Sequence, residues 1–326
     1  MDLVTLDDVR GAADAIAGRV VRTPLLPCRW DDRLYLKPES LQPVGSFKLR
    51  GATNAISRLT AEQRARGVVT HSSGNHGQAL AWAAAAAGIP CVVVIPEGAP
   101  AIKIEQVRRL GAEVILVDHA RRLAEAERVV ARTGATLVPP YDDRRIIAGQ
   151  GTIGLEIVAD LPDLAVVLVP VGGGGLASGV STAVKALRPE VTVIGVEPDL
   201  AADAHASLTA GELVIWEPEL TYRTSADGLR TNLSELTLAH LRERLDGIVT
   251  VTEDEIREAL ARLARDSRLV VEPSGAVAPA AALFRAADLP TGPTVAVVTG
   301  GNIEPARLTE ALTAPLTAPL TAPPAG

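Results

Sequence analysis

The chain has 326 residues, of which 47% are apolar and 2% aromatic, so two compact domains with cores of Ala, Val, Leu and Ile fit it better than one simple core. Its net charge of −7, with no basic stripe and no aromatic–basic interleaving, argues against nucleic acid as a partner. The two cysteines, Cys28 and Cys91, are too few for a disulfide framework and lack C-x-x-C zinc spacing, so buried thiols in a reducing cytoplasm are the expectation.

In chain order, Met1–Arg10 holds three aspartates and no apolar block, which is not the pattern of a secretory signal. Short β-branched runs predict strands at Val68–Thr70, Cys91–Ile95, Val114–Val117, Val166–Val171, Val191–Val196 and Val295–Thr299. The most membrane-like stretch, Ala79–Pro96, is interrupted by Gly88 and Pro90. It reads as a buried helix, a turn and a buried strand, so no membrane span is expected. After Thr252, apolar residues recur at helical spacing (Ile256, Ala259, Leu260, Leu263), with Glu255 completing a capping box.

Strands alternating with helical patterns imply an α/β fold with parallel sheets. The strands fall into groups at 67–145 and 165–300, which predicts two lobes with a site in the crevice between them. We expect a large lobe from 1–66 plus 146–312 and a small lobe from 67–145. Residues 313–326, TAPLTAPLTAPPAG, are expected to be a disordered tail, because that repeat can neither sustain a helix nor bury a face.

Several local patterns could carry chemistry. Lys48 lies in LKPESLQPVGSFKLRGA. It could simply begin a surface helix, or it could sit in an apolar cleft where burial favours the free amine that condenses with an aldehyde. THSSGNHGQAL follows a strand and opens a helix, and Ser72, Ser73, Asn75 and His76 are more polar groups than a helix cap needs. PVGGGGLASG joins another strand to a helix; Gly172, Gly173, Gly174 and Gly175 leave bare amides able to converge on a phosphate, although many such turns are only tight turns. Neither a Walker lysine nor a G-x-G-x-x-G register is present, which disfavours nucleotide folds. Thr299 in TGGN ends the last strand. Glu197, Ala201 and Asp203 follow another, where two carboxylates and a carbonyl could hold a divalent cation or form a solvated acidic loop.

Taken together, LKPESLQPVGSFKLRGA, THSSGNHGQAL, IAGQGT, PVGGGGLASG, ADGLRT, EPSGA and TGGN, in this order, resemble the serine/threonine dehydratase and serine racemase family of fold-type II pyridoxal-phosphate enzymes, whose fold is tryptophan synthase β-like. The resemblance covers nearly the whole chain except the tail. It implies a large cofactor-binding domain and a small substrate-side domain. It also implies that Lys48 is the Schiff-base lysine, that Phe47 packs on the pyridine ring, and that Gly172–Gly175 with the Leu176 amide cradle the phosphate. Asn75 would bond the phenolic oxygen and Thr299 would face the ring nitrogen.

Substrate carboxylate binding falls by the same resemblance to Ser72, Ser73, Asn75 and His76, and a further substrate contact to Thr231. Ser73 matches the racemases' second acid/base, on the ring face opposite Lys48. Glu197, Ala201 and Asp203 match a Mg²⁺ (or Mn²⁺ or Ca²⁺) site. The implied activity is ammonia loss from L-threonine or L-serine. Serine racemisation with side elimination is the alternative, as is dehydration of another β-hydroxy amino acid of the 3-hydroxyaspartate or hydroxyectoine-pathway type. A cytoplasmic homodimer is expected. The chain after TGGN is too short for the regulatory domain of biosynthetic threonine deaminases, so isoleucine feedback is not expected.

Overall fold

A computed structural model describes residues 2–72, 74–99 and 101–316. Its strands are β1 (Leu26–Pro27), β2 (Leu34–Pro38), β3 (Val68–His71), β4 (Cys91–Pro96), β5 (Glu113–Val117), β6 (Thr136–Leu137), β7 (Val166–Pro170), β8 (Thr192–Pro198), β9 (Gly247–Val251) and β10 (Thr294–Val298). They form a six-stranded sheet in the order β1-β2-β10-β7-β8-β9 and a four-stranded sheet in the order β5-β4-β3-β6. Every pairing is parallel except β1 with β2. Strands such as β7, buried at every position, must be apolar throughout, because helices cover both faces of a parallel sheet.

The expected strands all occur. The sequence missed β1, β2, β6 and β9. In β2 the apolar pattern is broken by Lys37 and Pro38, and Lys37 is buried only because it is paired, as described below. β9 begins at a glycine and is half-buried along most of its length, so it carries no strong strand signal. The Thr252 capping box and its helix Glu253–Asp266 are present, with Ile256, Ala259, Leu260 and Leu263 buried. Asn75–Ala87 is a helix that stops at Gly88 in the left-handed region, before β4. Among the described residues no helix is long and apolar enough to cross a membrane. Cys28 and Cys91 are free and buried, and burial pushes both thiols up to about 12.

The four-stranded sheet draws all its strands from residues 68–137. Its core is shared, however, with Val44, Leu49, Ala52, Ala55, Ile56 and Leu59, which precede it in the chain. The helix Lys48–Ser57 thus packs into the smaller lobe while its preceding turn is tied to the larger sheet. Toward the C-terminus, the helix Pro305–Thr313 includes the first residue of the expected tail. Residues 317–326 of that tail lie outside the described residues.

Candidate active site

Lys48 is the first residue of its helix. The turn before it is clamped by the loop after β10: Ser46 bridges to Gly300, and the Phe47 amide donates to the Thr299 carbonyl at 3.0 Å. This brings buried Thr299 and Lys48 to one place. Lys48 Nζ donates to the Pro140 carbonyl at 2.7 Å and lies 5.1 Å from the Phe47 ring centroid. Burial disfavours the ammonium and lowers its pKa to about 8. Part of the amine is therefore uncharged near neutral pH, the form that attacks an aldehyde.

Two residues on, Arg50 is fully buried and saturated. Its Nε and Nη2 each donate to Glu39 at 2.8 Å, and its Nη1 and Nη2 donate to Glu156 at 2.6 and 2.9 Å. Lys37 Nζ meets the same Glu156 at 2.6 Å. Burial pushes the Glu39 carboxyl up, but the charge and hydrogen bonds of Arg50 hold it below the ordinary range. This cluster was not assigned from the sequence. The usable signal was a charge inside an apolar run, as at Lys37, Arg50 and Glu156, because such a charge requires a buried partner.

The glycine loop leaves β7 and opens the helix Gly175–Leu187, whose first-turn amides have no intrahelical acceptors. A Cβ on Gly172 would meet Leu229 at 2.9 Å, on Gly173 the Tyr141 ring at 2.5 Å, on Gly174 Leu233 at 2.7 Å, and on Gly175 Tyr141 Cβ at 2.9 Å. The loop thus admits no side chain and presents bare amides at a helix N-terminus, a donor set that fits the phosphate of pyridoxal phosphate. Leu176 is buried directly behind it.

At the start of the helix Asn75–Ala87, the Gly74 amide donates to the Ser72 hydroxyl at 3.3 Å. Asn75 is half-buried; its Nδ2 donates to Glu272 at 2.6 Å, and its Oδ1 accepts from Asn302 at 2.7 Å. Ser73 lies outside the described residues. His76 differs from the expected carboxylate contact. It is buried, and its Nε2 meets the Val138 carbonyl at 3.0 Å. A carbonyl only accepts, so Nε2 carries the proton. Burial first, and then the charge of Lys48, lower its pKa to about 3, so the ring is neutral and its other nitrogen offers a lone pair rather than a donor. Thr231 is exposed, just past Leu229, which abuts the glycine loop.

Beyond β8, Glu197 is buried and accepts from the Ala204 and His205 amides at 3.0 and 2.7 Å. Asp203 is fully buried, and neither of its carboxylate oxygens has a hydrogen-bond partner. Burial pushes Asp203 up to about 7, and burial together with Asp203 raises Glu197 well above the carboxylate range. Ala201 is buried between them in sequence. Among the described residues no three His, Cys, Asp or Glu side chains gather to hold a metal. The orphaned Asp203 oxygens beside a second buried acid nonetheless fit a hard cation that completes its shell with carbonyl and water oxygens.

A family model described as pyridoxal-phosphate dependent enzyme matches residues 16–300. The chain is 44% identical to an L-threonine ammonia-lyase of Thermotoga maritima over 93% of this chain and 76% of that one. It is 43% identical to a serine racemase of Arabidopsis thaliana, over 84% of each chain. Among solved structures, the serine racemase of Dictyostelium discoideum superposes with a TM-score of 0.86 at 38% identity, covering 92% of this chain and 99% of that one. By the family match, these relatives and its parallel sheets, the chain belongs to the pyridoxal-phosphate dependent enzymes and has the fold-type II architecture.

Proposed function

We propose that the chain is an ammonia-lyase that converts L-threonine or L-serine to a 2-oxo acid and ammonia. The observation that carries this reading is the near-full-length likeness to an L-threonine ammonia-lyase. The arrangement around Lys48 supports it. Lys48 would hold the cofactor through its amine, with Phe47 against the ring and the amides of Gly172, Gly173, Gly174, Gly175 and Leu176 on the phosphate. Asn75 would donate to the phenolic oxygen, and Thr299 would face the ring nitrogen. When bound, pyridoxal phosphate supplies an electron sink that weakens the bonds at an amino acid's α-carbon.

Lys48 Nζ would take the α-proton, which its lowered pKa allows near pH 8. Thr299 is a neutral hydroxyl and cannot hold a proton on the ring nitrogen as a carboxylate would. That suits a substrate carrying its own β-leaving group. Loss of the α-proton and of the β-hydroxyl as water, followed by hydrolysis, yields 2-oxo acid and ammonia. Ser72, Ser73 and the amides opening the Asn75 helix would bind the substrate carboxylate, and Thr231 would contact the substrate. The neutral ring of His76 would pack behind them.

The Glu197 and Asp203 carboxylates and the Ala201 carbonyl would bind Mg²⁺, Mn²⁺ or Ca²⁺. We place the enzyme in the cytoplasm as a homodimer, the first in keeping with its free buried thiols and the second checked by light scattering.

The likeness to a serine racemase favours a second activity. Racemisation needs proton transfer on both faces of the α-carbon, and Lys48 serves one; Ser73 is the candidate for the other. Purified protein should release 2-oxo acid from L-threonine or L-serine, and no release from either refutes the lyase reading. Ser73→Ala should abolish interconversion of L- and D-serine and elimination from D-serine. Elimination from the L-isomer should survive at a reduced rate. Equal proportional losses in all these reactions would refute the two-face assignment.

A further inference from the structure

The crevice holds a buried carboxylate to which the reading above gives no part. Glu272 precedes the helix Pro273–Phe284, and its amide donates to the Gly300 carbonyl at 3.1 Å. Its Oε1 accepts from Asn75 Nδ2 at 2.6 Å. The loop after β10 leaves room for this, since a Cβ on Gly300 would meet that same oxygen at 2.4 Å.

Asn75 is held from its other end as well. Asn302 Nδ2 donates to the Val44 carbonyl at 2.9 Å and to Asn75 Oδ1 at 2.7 Å. A backbone carbonyl only accepts, so Val44 settles which end of the Asn302 amide is nitrogen. The second hydrogen of that nitrogen then requires the oxygen of Asn75, and Asn75 in turn must direct its nitrogen at Glu272, whose carboxyl oxygen accepts. Each link dictates the orientation of the next. Asn75 ends with its oxygen occupied and one N–H unspent.

We propose that Glu272 is a positioning residue: with Asn302 it locks the Asn75 carboxamide so that a single remaining N–H is available to the cofactor's phenolic oxygen. This rests on the reading that Asn75 faces the cofactor. Asn75 belongs to the helix that follows β3, whereas Glu272 and Asn302 belong to the larger lobe. The lock therefore joins the helix that follows β3 to the loops around β10.

The test uses the holoenzyme, with affinity for pyridoxal phosphate and the pH midpoint of its near-visible absorbance as readouts. Glu272→Gln still offers an oxygen to Asn75, so both should stay close to wild type. Glu272→Ala leaves the amide free to turn. Affinity should fall roughly tenfold, the size of one well-aimed hydrogen bond, and the midpoint should move. Asn302→Ala removes the other arm and should shift the midpoint in the same way, which keeps the test open if Glu272→Ala fails to fold. Wild-type values in Glu272→Ala or Asn302→Ala overturn the proposal. So does a Glu272→Gln protein that folds normally yet behaves as Glu272→Ala, because charge rather than aim would then be the cause. A wild-type protein that gains no near-visible band with pyridoxal phosphate overturns the cofactor reading itself, and the proposal with it.

Discussion

Lys48 shows how burial alone prepares a nucleophile. No neighbouring cation lowers its pKa; removal from water does, and only the neutral amine captures an aldehyde. The rate at which cofactor-free protein takes up pyridoxal phosphate should therefore rise about tenfold per pH unit below the Lys48 pKa and level off above it. Growth of near-visible absorbance after mixing measures this, and a flat profile from pH 6.5 to 9 would show that another step controls capture. Borohydride reduction should fix the label on Lys48, not on Lys37 or Lys185, and Lys48→Ala should lose the band. Lys48 and the glycine loop were legible in the sequence because their chemistry is local: one amine, or one run of residues without Cβ atoms. The Lys37–Glu156 and Arg50–Glu156 pairs were not, because they join segments far apart in the chain. The neutral state of His76 was equally hidden, since it follows from burial and from the charge of Lys48, which lies in another helix.

The same division holds for strands, helices and loops. Strands buried on both faces announce themselves by composition, and the Glu253–Asp266 helix by its cap. β2 does not, because its lysine is paired with a carboxylate of the helix Arg144–Asp160. The loop between β8 and the helix Asp203–Ala210 was marked by its acids, but their burial was not. Two buried carboxylates without a cation destabilise the folded state. Chelator should lower the melting temperature by roughly a few degrees, because a ligand of the folded state alone is removed. The sign with pH follows from Asp203. Its folded pKa of about 7 lies above the ordinary 3.8, so stability is lost as pH rises between the two and is retained when the acid is protonated. The chelator effect should thus be larger at pH 8 than at pH 5.5. An unchanged melting temperature at both would remove the cation from the account.

Across the whole molecule, the N-terminal arm is pinned to a helix far along the chain. The Val4 amide donates to His240 Nε2 at 2.9 Å, while His240 Nδ1 meets the Leu236 carbonyl at 2.7 Å. Protonation would turn the acceptor into a second donor facing the Val4 N–H. Burial, with Arg244 and Arg144 nearby, lowers the His240 pKa below 6.5. The unfolded chain then binds more protons in that window, so this contact favours folding above pH 6.5 and weakens as pH falls below it. In excess Mg²⁺, added so that the cation proposed at Glu197 and Asp203 would keep the acid pair ionised, wild type should lose more melting temperature between pH 7 and 5 than His240→Gln does. Parallel curves would show that the pin carries no pH dependence. How the two lobes share the core around Val44–Leu59 was likewise beyond the sequence, because the strand groups suggested that the first 66 residues sit with the larger sheet alone.

The saturated guanidinium of Arg50 also has an ionic-strength signature. The pairs on helix surfaces, such as Arg66–Glu62 and Arg109–Glu105, stand in water, where counter-ions screen them within roughly a Debye length. Arg50, Glu39 and Lys37 are enclosed, and Glu156 is nearly so; mobile ions cannot enter between them. Molar salt should therefore dissolve the outer electrostatics of the fold while leaving the tether of the Lys48 helix intact. Warming should favour that tether further, since the hydration that the buried charges forgo weakens as temperature rises. Amide hydrogen exchange along Lys48–Ser57 would then stay slow under salt and heat that already loosen the surface helices.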